Sequence, residues 1–141
     1  MKNFEIIEHT ADIGIIAYGK TKEEVLINSA RGMFYIITEE EESFKIESSY
    51  PVELIAETLE DLLVSWLSEL LYLFETKLVI LSKFEIREFS DYHLKGKVYG
   101  EKINQDSQRI KREVKAVTYH YLEFKKDEVS ELWKARVIFD I

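Results

Sequence analysis

The 141 residues set 27 Asp and Glu against 19 Lys and Arg, a formal net charge of −8, which excludes the basic footprint of an autonomous nucleic-acid binder and routes any RNA-related role through a protein partner. The chain has no cysteine, which excludes disulfides, thiolate metal sites and a Cys nucleophile. No leader-like segment follows Met1 and no apolar run approaches the ~18 residues of a membrane span, so a single domain over 1–141, in the cytoplasm, is expected.

Phe4–Glu8 and Ile13–Tyr18 are short apolar segments that predict strands, the second ending at Gly19. Between them Glu8-His9-Thr10-Ala11-Asp12-Ile13-Gly14 breaks the pattern, because Asp is depleted in strands and favoured in turns. It reads either as a capped turn with a surface His, or as a set of oxygen and nitrogen ligands beside a glycine that lets the backbone fold tightly. Thr21-Lys22-Glu23-Glu24 is a capping box. It predicts a helix with Val25, Ala30, Met33, Phe34 and Ile37 on its apolar face, ended by the self-repelling run 39–42.

Phe44–Ser48 and Val52–Ala56 predict two strands around Tyr50-Pro51, which holds the only proline. Thr58 with Asp61 repeats the capping arrangement and opens the strongest signal in the chain. Leu59, Leu62, Leu63, Trp66, Leu67 and Leu70 keep helical spacing and continue through Leu71 to Phe74, so a second helix lays a broad stripe on the core. Beyond Leu78 the period changes from 3.6 to 2. Phe84/Ile86, Tyr92/Leu94/Val98, Val114 to Phe124 and Trp133 to Phe139 predict four antiparallel strands and no third helix. Gly96 and Gly100 mark a bulge or a close approach. The expected order is β-β-α-β-β-α-β-β-β-β, an α+β domain with two helices packed on a mixed, mostly antiparallel sheet.

Gly14-Ile15-Ile16-Ala17-Tyr18-Gly19-Lys20-Thr21 matches G-x-x-x-x-G-K-[ST] ahead of a helix, and Asp140 after an apolar strand could hold Mg²⁺. Against a phosphate loop, its interior is Ile, Ile, Ala and Tyr, which resist the turns that aim successive N–H groups at phosphates. A nucleotide-binding function is therefore the weaker alternative. His93 and His120 fall on predicted strands without acidic neighbours at metal-ligand spacing and read as structural. Arg109, Lys111, Arg112 and Lys115 form a local basic cluster, either a solvated hairpin rim or a contact surface.

If Val114, Ala116, Thr118, His120, Leu122 and Phe124 face the core with Trp133, Ala135, Val137 and Phe139, the last two strands form a hairpin with Phe124 opposite Glu131. Lys115 then falls opposite Asp140 on the outer face. Burying Val117, Tyr119 and Tyr121 instead shifts the register by one. The apolar run reaches Asp140-Ile141, so a side-chain and a main-chain carboxylate lie together beside a lysine. Such hard oxygen ligands select Ca²⁺, Mg²⁺ or Mn²⁺ over zinc. Asp12 is the natural third ligand if the first turn reaches the same edge.

Across its length the chain also resembles the archeases. The resemblance rests on His9-Thr10-Ala11-Asp12-Ile13-Gly14, Leu62-Leu63 through Leu70-Leu71, Gly100-Glu101, Lys115-Ala116-Val117-Thr118-Tyr119-His120 and the closing Asp140-Ile141. It implies a small protein partner of the RtcB-type RNA ligase, which joins tRNA exon halves and broken RNA ends. Archeases promote guanylylation of that ligase's active-site histidine, allow it many turnovers, and carry a divalent metal. By position, Asp12, Asp140 and Ile141 would be the metal ligands, with Lys115 and His9 serving ligase activation. An alternative within the same family is a chaperone or modulator of a tRNA-modifying enzyme such as a methyltransferase. No Ser-His-Asp arrangement or separated carboxylate pair supports an enzyme in its own right.

Overall fold

The computed structural model describes residues 3–8, 11–41 and 44–141. His9, Thr10 and Glu42, which entered the reading above, lie outside them. The chain runs through strands β1 (Phe4–Glu8) and β2 (Asp12–Gly19), helix α1 (Lys22–Thr38), strand β3 (Ser48–Ile55) and helix α2 (Leu59–Lys77). Strands β4 (Val79–Ser90), β5 (His93–Lys102), β6 (Ala116–Val117), β7 (Glu123–Lys126) and β8 (Trp133–Asp140) follow. The α+β class and the two helices stand as expected.

Both helices begin where the sequence places them. Thr21 accepts from the Glu24 N–H at 3.1 Å and Thr58 from the Asp61 N–H at 3.0 Å, each satisfying one of the orphan donors of a first turn. Glu39 and Leu78 close the helices in left-handed conformation, with φ of 58° and 51°. Trp66, fully buried, donates its indole N–H to the Leu26 carbonyl at 2.8 Å and ties α2 to α1.

The strands divide into two sheets rather than one. In the first the order is β1-β2-β8-β6, with β7 also paired to β8; in the second it is β3-β5-β4. All six pairings are antiparallel. Each helix packs against strands of both sheets, α1 against β1, β2, β8 and β4, and α2 against β3, β4, β5, β6 and β7. The helices therefore fill the space between the sheets. This explains why α1 buries Val25, Leu26, Asn28, Ser29 and Ala30 in near succession instead of a single stripe.

Two expected strands at residues 44–56 are one, β3, which runs straight through Tyr50-Pro51. As an edge strand pairing only with β5, it tolerates the N–H that Pro51 lacks. The expected strand from Val114 to Phe124 is two. After Thr118, Tyr119 to Leu122 leave the ladder in a turn closed by Leu122 N–H to the Tyr119 carbonyl at 3.3 Å. Gly100 and Gly96 lie opposite Leu81 and Ile86, each immediately before a register shift in β4, so the bulges expected there are present. Among the described residues no helix is long and apolar enough to cross a membrane.

Candidate functional site

Asp12 opens β2 and Asp140 closes β8, and the two are direct cross-strand partners. On its other side Asp140 faces Ala116 of β6, and the Lys115 N–H donates to the Asp140 carbonyl at 2.7 Å. The expected proximity of Lys115 to Asp140 is thus real, but it is made by the backbone, with the register one residue from the one predicted. Further along, Phe124 faces Ala135 rather than Glu131. Ile141 follows Asp140 and packs partly buried against the core. Asp12, Asp140, Ile141 and Lys115 therefore converge on one end of the first sheet. The fifth expected residue, His9, lies outside the described residues.

One oxygen at this end is conspicuous. Asp12 Oδ1 is buried and has no hydrogen-bond partner among the described residues, while a second carboxylate stands directly opposite. An unpaired buried anionic oxygen carries its full desolvation cost unless positive charge is supplied. Among the described residues no three His, Cys, Asp or Glu side chains cluster as a metal site. A cation here would rely on two side-chain carboxylates and a main-chain oxygen of Ile141. Those are hard oxygen donors, which fit Ca²⁺, Mg²⁺ or Mn²⁺. The exposed Lys115 lines, with Ser68, Tyr72, Glu75 and Val117, a shallow groove between β6 and α2.

The rest of the basic cluster is bound into the fold and does not sit on a hairpin. Arg109 bridges Glu40 at 3.3 Å and Glu101 at 2.6 Å, and its guanidinium lies 4.1 Å from the centre of the Phe44 ring. Lys111 and Arg112 both donate backbone N–H groups to the Ile37 carbonyl, at 2.7 and 3.1 Å, satisfying the end of α1. The Arg112 side chain reaches Glu8 at 3.4 Å. The Glu101 carboxyl is held below the usual carboxylate range, chiefly by the Lys45 N–H and then by Arg109.

The phosphate-loop reading fails on the backbone. Gly14 to Gly19 are continuous strand, paired to β8 throughout and to β1 over most of their length, so their amides are committed to ladders. His93 lies on β5 within 3.0 Å of Glu53. His120 is not on a strand but in the turn after β6, its ring 4.3 Å from that of Tyr121.

Two features of that turn escape a sequence reading. Thr118 directs both its hydroxyl, at 2.8 Å, and its N–H, at 3.0 Å, to the Ile138 carbonyl. Tyr121 has φ of 53°, at the turn position that Gly or Asn normally fills. Thr-Tyr-His-Tyr carries no turn residue to signal it.

Residues 4–141 match the model of the family described as "Archease protein family (MTH1598/TM1083)". The chain is 44% identical to the protein archease of Methanosarcina mazei, over 99% of this chain and 97% of the relative. Its fold is similar to the solution structure of Methanobacterium thermoautotrophicum protein 1598, with a TM-score of 0.83, 38% identity and complete coverage of both chains. It is also similar to the crystal structure of a Thermotoga maritima archease described as a possible chaperone. There the TM-score is 0.62 and the identity 25%, covering 96% of this chain and 94% of the other.

Proposed function

Because the chain belongs to the archease family, we propose that it activates an RtcB-type RNA ligase in tRNA splicing and RNA repair, promoting guanylylation of the ligase and its repeated turnover. It does so in the cytoplasm as a protein cofactor, without forming a covalent intermediate of its own. The observation that carries this reading is the register that sets Asp12 beside Asp140, with one oxygen of Asp12 buried and without a hydrogen-bond partner among the described residues.

Asp12, Asp140 and the main chain at Ile141 would hold a divalent cation, which when bound supplies positive charge for phosphate oxygens. The chain's own residues do the placing. The β2–β8 ladder fixes the two carboxylates, and the Lys115 amide fastens β6 to Asp140, which leaves the lysine side chain exposed at the same edge. An edge of this kind can approach a ligase's nucleotide site and help position phosphates for attack by the ligase histidine, since phosphoryl-type transfer depends on placement and charge neutralisation.

The test is turnover of the purified ligase with and without this protein. Asp12→Ala and Asp140→Ala should keep the circular dichroism spectrum and lose stimulation; full stimulation by both variants would end the proposal. A second reading, a chaperone of a tRNA-modifying enzyme, draws on the description of the Thermotoga maritima relative as a possible chaperone. It predicts that the chain suppresses aggregation of a tRNA methyltransferase and leaves ligase turnover unchanged.

A further inference from the structure

β1 and β4 end the strand orders of their sheets and both pack on α1. Where the three elements approach lies a half-open cavity of about 100 Å³ that the Asp12–Asp140 site does not use. α1 contributes Arg31, Phe34 and Tyr35, whose spacing of three and four puts them on one helix face. From β4 come Ser82 and Phe84. Ser82 is the residue that a register shift leaves without a partner on β5, between Leu81 opposite Gly100 and Lys83 opposite Tyr99. A bulge of this kind re-aims a side chain out of the ordinary alternation, and here it brings a hydroxyl to the cavity.

The walls are rings and the mouth is polar. Phe34 and Phe84 are buried with ring centres 6.4 Å apart, and Tyr35 leans on Phe4 at 5.8 Å. Phe44 carries the Arg109 guanidinium 4.1 Å from its centre, and Arg109 also bridges Glu40 at 3.3 Å. Arg31, Glu41 and Asn3 stand at the rim, so that the lining as a whole is more polar than apolar. Arg31 makes one bond, to Asn28 Oδ1 at 3.3 Å, and no ion pair among the described residues. Glu41 and Ser82 have no side-chain partner among them.

These groups restrict the guest. A cation would compete with Arg109, which already holds Glu40 and covers Phe44. An anion would meet Glu40 and Glu41. A neutral planar ring system suits the aromatic walls, provided its rim offers acceptors to Arg31 and donors to Glu41. Guanine has both: O6 and N7 accept from a guanidinium in a bidentate pair, and its N1–H and amino N–H groups can donate to a carboxylate, whose oxygens only accept. Adenine carries an amino donor where guanine has O6, and would set it against an arginine that has donors alone.

We propose that the cavity between α1, β4 and the start of β1 binds the guanine base of a free nucleoside or mononucleotide, with Arg31 reading O6 and N7 and Glu41 reading the N1 and amino donors. A chain of net charge −8 with two glutamates at the rim disfavours a polyanionic strand in the same place. The proposal goes beyond ligase activation and does not depend on it.

The experiment titrates ¹⁵N-labelled full-length protein with guanosine and, separately, with adenosine. Guanosine is expected to move the amides of Arg31, Tyr35, Phe44 and Ser82, to leave those of Asp12 and Lys115 in place, and to bind with a Kd below about 1 mM. Adenosine should bind about tenfold more weakly. Arg31→Gln and Glu41→Gln, both changes at exposed side chains, should keep the wild-type melting temperature and each weaken guanosine about tenfold, with adenosine unchanged. No binding of guanosine, equal binding of the two nucleosides, shifts centred on Asp12, or binding confined to a guanine-ended oligonucleotide overturns the proposal. Ligase turnover reports on the proposed function separately: stimulation without guanosine binding sinks this inference alone, and guanosine binding without stimulation sinks only that reading.

Discussion

Asp12 and Asp140 stand directly opposite one another across the β2–β8 ladder, two carboxylates where a sheet favours opposite charges or apolar pairs. Like charges at such a position are destabilising by a few tenths to about 1 kcal/mol, and the buried Asp12 Oδ1, without a hydrogen-bond partner among the described residues, adds to the cost. Neutralising the more exposed partner should therefore help the isolated protein. Asp140→Asn is expected to melt about 3 °C higher than wild type in the presence of a chelator. Millimolar Ca²⁺ should raise the wild-type melting temperature and leave the variant where it was. A variant less stable than wild type in chelator would show that the pair is not repulsive.

Glu101 makes a different use of charge. It accepts from the Lys45 N–H at 2.7 Å and from Arg109 at 2.6 Å, with its side chain only 15% exposed. The Lys45 bond and then Arg109 hold its carboxyl below the ordinary 4.5. A carboxyl depressed in the folded state contributes stability that is complete above its unfolded value and lost as pH falls through the folded one. The window is therefore below about pH 4.5. Denaturant titrations from pH 7 downward should show Glu101→Gln less stable than wild type at neutrality and losing less on acidification. Parallel curves would mean that Glu101 does not contribute in this way.

Gly96 and Gly100 tolerate no side chain. A Cβ on Gly96 would lie 2.1 Å from the Glu85 carbonyl oxygen, and one on Gly100 the same distance from that of Ile80. Both obstacles are backbone in the neighbouring strand, which cannot rotate away as a side chain would. Gly96→Ala should cost about 3 kcal/mol, at the upper end of overpacking, read from the midpoint of urea unfolding. Gly32→Ala in α1 meets only side-chain carbons of Ile15 and Phe4, at 3.1 to 3.3 Å, and should cost clearly less. Equal losses would remove the distinction.

The same glycines show what a sequence can carry. A glycine in an alternating strand is an anomaly that asks for a bulge, and β4 supplies one opposite each of them. Thr21 and Thr58 likewise announce helix starts, because a cap is local chemistry between residues three apart. Asp140 was legible as a strand-end acid and Asp12 as a candidate ligand in the turn before the second strand; the ladder takes Asp12 into β2 and brings the two together.

What stayed hidden is non-local or lacks a turn residue. Period 2 does not tell which strands share a sheet, so the separation of β3-β5-β4 from β1-β2-β8-β6 has no signature. Val114 to Phe124 offers apolar residues on both faces. It is broken by a turn that puts a tyrosine where glycine would have marked the break, and both proposed registers therefore assumed an unbroken strand.

The position of Lys115 depends on a strand of only two residues, pinned at its ends. Lys115 N–H to the Asp140 carbonyl, at 2.7 Å, holds one end. The other is held by Thr118, whose hydroxyl and N–H both meet the Ile138 carbonyl and whose Oγ1 accepts from the His120 N–H at 3.2 Å. Thr118→Val keeps the shape and the backbone bond while removing both side-chain bonds. A loss of about 1 kcal/mol is expected, concentrated where the bonds were. Amide exchange should quicken at Lys115, Thr118 and His120 and stay unchanged in α1 and α2. Ligase stimulation should fall because the lysine is less well placed, while Ca²⁺ affinity at Asp12 and Asp140 is retained. Exchange that quickens uniformly across the domain, or not at all, would show that Thr118 is not the pin.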